Sequence, residues 1–108
     1  MSLEVLDLAL DAISQLRPVV GRIKRHDRPL AKQITDAANS VVLNIGEGAY
    51  NDPGTSKARY FTAMGSANEV RVGVRAALCW GHVSEGQASL VVERYDPVVR
   101  ILYRLVHR

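Results

Sequence analysis

Apolar residues recur at spacings of three and four in four stretches of this chain, and that period leaves few folds open. Such spacing aligns side chains on one face of a helix, whereas a half-buried strand would alternate every second residue. In the first stretch the stripe is Leu3, Leu6, Leu10, Ile13, Leu16, Val20 and Ile23 behind a Ser2 cap, which predicts a helix over about 2–25 with a kink or break at Pro18. Asp27 and Pro29 mark the next start, and Leu30, Ile34, Ala37, Ala38, Val41 and Ile45 carry a second helix over 28–48. VVLNI is rich in β-branched residues, yet no partner strand is evident, so the helix stands.

After the turn NDPGTS, Ser56 is a candidate cap for a third helix over 56–81, with Tyr60, Phe61, Met64, Ala67, Val70, Val74, Ala77 and Leu78 toward a core. Ser84 and Gln87 form a capping box signature for a fourth helix over 84–107, with Leu90, Val91, Tyr95, Val98, Ile101, Leu102 and Leu105 inward and a kink at Pro97. Four helices of this length on short connections predict one all-α domain over 1–108, an up-down-up-down antiparallel four-helix bundle.

Composition narrows the function classes. Of the 108 residues 47% are apolar and 23% charged, which is globular rather than disordered. No apolar run approaches a membrane span, Glu4, Asp7 and Asp11 interrupt any signal peptide, and Cys79 has no second cysteine to pair with. A cytoplasmic location with no membrane partner is expected. The net charge of +3 lies in the second half: residues 1–54 carry six Lys and Arg against seven acids, and residues 55–108 eight against four. Such an excess is permissive of nucleic-acid contact.

Tests for chemistry exclude more than they offer. GEG at 46–48 lacks the last glycine of a dinucleotide fingerprint and follows a helix rather than a strand. Gly48 instead reads as a helix end whose backbone shape other residues resist. Helical bundles that hold two metals use Glu-x-x-His pairs, but the residues three before the histidines are Ile23, Cys79 and Arg104. Cys79, His82 and His26 share one bundle end without an evident fourth ligand, so no metal and no cofactor are expected. No catalytic residue is assigned. The remaining candidates are two basic clusters at opposite ends of the bundle, Arg22, Arg25 and Arg28 around the first loop and Arg100, Arg104 and Arg108 along the last helix. A solvated charged face is the plain alternative for both.

Gln33, Ala37, Ala38 and Ser40, then Asn44, Ile45, Glu47 and Gly48, then Phe61, Ala63, Gly65, Ser66 and Glu69 form a further pattern. It resembles that of the four-helix-bundle family encoded within intervening sequences of bacterial 23S ribosomal RNA genes, approximately SxxxNIAEG followed after a turn by Phe and AxGSxxE. The resemblance covers residues 33–69 by motif and the rest by length and helix plan. It implies a homo-oligomeric ring, typically five-membered, without enzymatic activity. It also implies kinship with the basic accessory protein of diversity-generating retroelements, which binds nucleic acid together with a reverse transcriptase. The chain departs from the family at Asp36, where arginine is common, and at NDPGT, where relatives tend to be basic, which predicts a less positive surface at that end.

Folding the second and third helices about the turn sets Gly65 at the level of Ser40, Asn44 at that of Tyr60, Glu47 at that of Lys57 and Asp36 at that of Glu69. These positions read first as packing: small residues for close approach at Ser40, Gly65 and Ser66, an ion pair or cap for Glu47, and an external partner for Glu69. Arg71 falls level with Asp96. The leading functional expectation is a non-catalytic oligomeric scaffold for nucleic acid or a nucleic-acid enzyme. A pure protein-interaction module without nucleic-acid contact is the alternative.

Overall fold

The computed structural model describes the backbone of residues 2–108 and the side chains of residues 4–108; the roles expected of Ser2 and Leu3 fall outside the described residues. Four helices, α1 (Ser2–Lys24), α2 (Arg28–Gly48), α3 (Pro53–Cys79) and α4 (Glu85–Val106), follow one another, with no strand among the described residues. Each packs on its neighbour in sequence and α4 closes onto α1, giving a bundle measuring 42 × 22 × 19 Å.

Local chemistry sets the ends. Asp27 caps α2 by accepting from the Leu30 amide, with Pro29 in the first turn. At α3 the cap is Asp52, not Ser56: its carboxylate accepts from the amide and hydroxyl of Thr55, and Pro53 begins the helix three residues earlier than expected. Ser56 instead donates its hydroxyl to the Gly48 and Asn51 carbonyls and staples the turn. Gly81, with φ +81°, closes α3 in a Schellman arrangement in which the His82 amide reaches the Ala77 carbonyl and the Gly81 amide the Leu78 carbonyl. The capping box at α4 is present in both directions, Ser84 to Gln87 and back. Neither Pro18 nor Pro97 breaks its helix. Both sit in helices whose inward faces are packed in the core, which holds the helix together despite the missing donor.

The core departs from the predicted stripes chiefly on α1. On α1 the buried set is Val5, Ala9, Ala12, Leu16, Val19 and Ile23, while Leu6, Ile13 and Val20 are half-buried and Leu10 is 48% exposed. On α3 it is Tyr60, Ala63, Ala67, Val70, Val74 and Ala77, with Phe61 62% exposed. On α1 a stripe of the same period that includes Ala9 and Ala12, displaced about one residue, faces inward, whereas on α3 the expected stripe holds except that Ala63 is buried and Phe61 is not. Small inward residues let the axes approach closely, and the larger apolar residues are left outside.

Candidate functional site

The motif residues of α2 and α3 meet along the seam between these two helices. Ser40 and Ser66 hydroxyls lie 2.7 Å apart, and the Asn44 amide donates to the Ser40 carbonyl and hydroxyl. Arg59 donates to the Asn44 side-chain oxygen Oδ1 at 3.3 Å and pairs with Glu47 at 3.0 Å. Glu47 thus finds Arg59 rather than Lys57: the level was right, but two residues on a helix differ by about 200° in direction, and only Arg59 faces Asn44 and Glu47. Arg71 pairs with Asp96 at 2.7 Å, joining α3 to α4.

Close approach occurs at other glycines than expected. A Cβ on Gly65 would meet nothing within 4 Å, so Gly65 is not a packing device within the chain. On Gly48 a Cβ would stand 2.7 Å from Cε1 of Tyr60, and on Gly73 2.7 Å from Cγ1 of Ile34. Gly48 has no positive φ; its backbone is ordinary helix, and the missing side chain makes room for the Tyr60 ring. Asp36 does not oppose Glu69 but pairs with Lys32 one turn before it on the same helix. Glu69 is exposed beside Gln33 and Val72, with no ion-pair partner among the described residues.

The six arginines are all exposed, and none enters an ion pair among the described residues. They divide between the ends. Arg22, Arg25 and Arg28 surround the α1–α2 turn, where Arg28 joins Lys24 and Lys32 on a groove of about 400 Å³ between α1 and α2. Arg100 and Arg104 flank a hollow of about 330 Å³ with Tyr103, whose ring stacks on His107 at 3.9 Å. Arg108 turns away from these two and lines a separate cavity of about 440 Å³ with Lys57 and Tyr60. The end that carries NDPGT is therefore more positive than its own sequence implies, because α4 delivers Arg108 to it. Only the juxtaposition of the C-terminal end of α4 with the α2–α3 turn could have revealed this, and no local motif encodes it.

At the opposite end the His26 and His82 rings stack in parallel, 5.2 Å apart, with His82 Nε2 3.9 Å from Asp27 Oδ2. Cys79 is exposed, and the described residues contain no group of three His, Cys, Asp or Glu side chains arranged to hold a metal ion.

No family model matches the chain, and neither does any curated protein. A solved structure from Bacteroides thetaiotaomicron, described as a protein with unknown function from the S23 ribosomal protein family, is similar with a TM-score of 0.88 at 15% identity, over 96% of this chain and 99% of that one. At that identity the likeness establishes a shared fold. Among the described residues, no helix is long and apolar enough to cross a membrane.

Proposed function

We propose that this chain belongs to the family of the 23S ribosomal RNA intervening sequences and acts as a non-catalytic, homo-oligomeric scaffold in the cytoplasm, engaging nucleic acid or a nucleic-acid enzyme such as a reverse transcriptase. The observation that carries this reading is the set of six exposed arginines without carboxylate partners. Guanidinium groups left free on a folded surface suit phosphate, which they grip in bidentate fashion without reading bases. Self-assembly, with a five-membered ring as the preferred form, is supported by the large apolar residues that α1 and α3 leave outside. The absence of a catalytic role is supported by the placement of the motif carboxylates: Glu47 is held by Arg59, and Glu69 stands elsewhere on α3 beside Gln33.

The test is binding of mixed-sequence single-stranded RNA and DNA across a salt series. Contacts to several phosphates make affinity fall steeply between about 50 and 200 mM salt, and charge reversal of Arg22, Arg25 and Arg28 together reduces that slope. A flat salt response, or no binding, favours the second reading, a protein-interaction module. One observation favours that module: Trp80, 73% exposed at the end of α3, is a large apolar anchor of the kind that dominates protein interfaces.

A further inference from the structure

Where α2 ends and α3 begins, the chain builds a cavity of about 440 Å³, within the range of about 300–1,000 Å³ common to small-molecule sites. Its wall is formed by Ala49 and Pro53 from the turn, Lys57 and Tyr60 from α3, and Leu105 and Arg108 from the last turns of α4. Lys57 and Arg108 are both exposed and their side chains free of ion pairs among the described residues, and no Asp or Glu side chain lines the space. The nearest acid in sequence, Asp52, is engaged by Thr55 and is not part of the wall.

Tyr60 supplies the second, independent observation. Tyr60 is only 8% exposed and its ring lies against Gly48, yet its hydroxyl, which makes no hydrogen bond with any described residue, is not sealed in the core as that of Tyr95 is and stays accessible. A phenol held at a cavity wall by a buried ring has its hydroxyl free to donate to a ligand. The other polar side chains of the wall already have partners, since the Ser56 hydroxyl donates to the Gly48 and Asn51 carbonyls and the Asn51 amide to the Glu47 carbonyl. The donors left for a ligand are therefore an ammonium, a guanidinium and a phenol, beside an apolar strip of Ala49, Pro53 and Leu105.

We propose that this cavity binds an organic phosphate: the phosphate group meets Lys57, Arg108 and the Tyr60 hydroxyl, and the apolar part of the ester lies against Ala49, Pro53 and Leu105. Two cations and a neutral donor match the near-double charge and three terminal oxygens of a phosphate monoester better than the single charge and two oxygens of a carboxylate. The same chemistry is offered by a free nucleotide and by the 5′-terminal phosphate of a nucleic acid chain. The site does not depend on Arg22, Arg25 and Arg28 around the other turn; of the six arginines it uses only Arg108.

The test is calorimetric titration of the full chain with adenosine 5′-monophosphate, adenosine, acetate, and a short oligonucleotide with and without its 5′ phosphate. The monophosphate binds, whereas adenosine and acetate do not. Lys57→Met weakens it about tenfold to a hundredfold and Tyr60→Phe about twofold to tenfold, with thermal melting confirming that both variants fold. A 5′-phosphorylated oligonucleotide that binds more tightly than the monophosphate assigns the ligand to a nucleic acid end, and equal affinity assigns it to a free organic phosphate. Equal binding with and without the phosphate, preference for acetate, or affinity unchanged in both variants overturns the proposal. Circular single-stranded DNA, which has no terminal phosphate, reads the arginine clusters alone, so either proposal can fail while the other stands.

Discussion

Two glycines of the same motif do opposite things, and substitution separates them. Gly48→Ala drives a methyl into the buried Tyr60 ring and destabilises the fold by about 1–3 kcal/mol, because a packed aromatic cannot retreat without disturbing its own neighbours. Gly65→Ala meets open space inside a helix and gains about 0.5–1 kcal/mol of helix propensity in the monomer. Urea denaturation of the two variants reads the difference. Tyr95 is the other residue whose chemistry can be measured: it is fully buried, its hydroxyl has no hydrogen-bond partner among the described residues, and burial pushes its pKa from 10.0 up to about 12. Below pH 10 the phenol is neutral folded or unfolded and costs nothing by ionisation. Above it the unfolded chain alone sheds the proton, so stability falls between about pH 10 and 12, by at most about 3 kcal/mol. Tyr95→Phe removes this alkaline slope and raises stability at neutral pH by about 1 kcal/mol. The burial of Tyr95 was legible in the helical period. Its lack of a partner was not, since hydrogen bonding in a core depends on which atoms three other helices bring near.

At the scale of the helix, what could be read from the sequence was what is local. The caps at Asp27 and Ser84 and the stop at Gly81 each follow from a side chain or a backbone conformation within a few residues of the end. The start of α3 was misjudged because Asp52 and Ser56 are both competent caps, and only the turn decides between them: Ser56 is drawn back to the Gly48 carbonyl, leaving Asp52 to hold Thr55. The amide and then the hydroxyl of Thr55 hold the Asp52 carboxyl below its ordinary range. A depressed carboxyl stabilises the fold above its unfolded pKa, and that contribution is lost as pH falls below about 3.9. Asp52→Asn keeps a capping oxygen without the charge, so its helix content, followed by circular dichroism from pH 5 to 2, loses part of the acid-induced decline seen in the parent. The inward face of α1 was misread for a different reason. Two stripes of equal period run along it, and hydrophobicity favours the one with larger residues, whereas close packing of the axes selected the one with Ala9 and Ala12.

At the scale of the whole molecule that choice has a consequence for assembly. On α1 the stripe of Leu6, Leu10, Ile13 and Val20 lies at the rim of the core with Leu10 48% exposed, and it is surface that another copy of the chain would cover. The proposed ring uses such faces, since a heterologous contact between different patches closes into a ring when its rotation permits. The expected native mass is then a whole multiple of the chain mass, five for the preferred form, at micromolar concentration and ordinary salt. Leu10→Glu places a charge where the proposed contact must exclude water, at a position already half exposed in the monomer, and so leaves helix content and melting of the isolated bundle nearly unchanged. Native mass spectrometry of this variant should show one chain where the parent shows several, and the variant's affinity for nucleic acid should fall with it, because a ring presents many copies of the arginine clusters and a monomer only one. A parent that is itself monomeric, or a Leu10→Glu variant that keeps the parent's mass, removes the α1 face from the assembly.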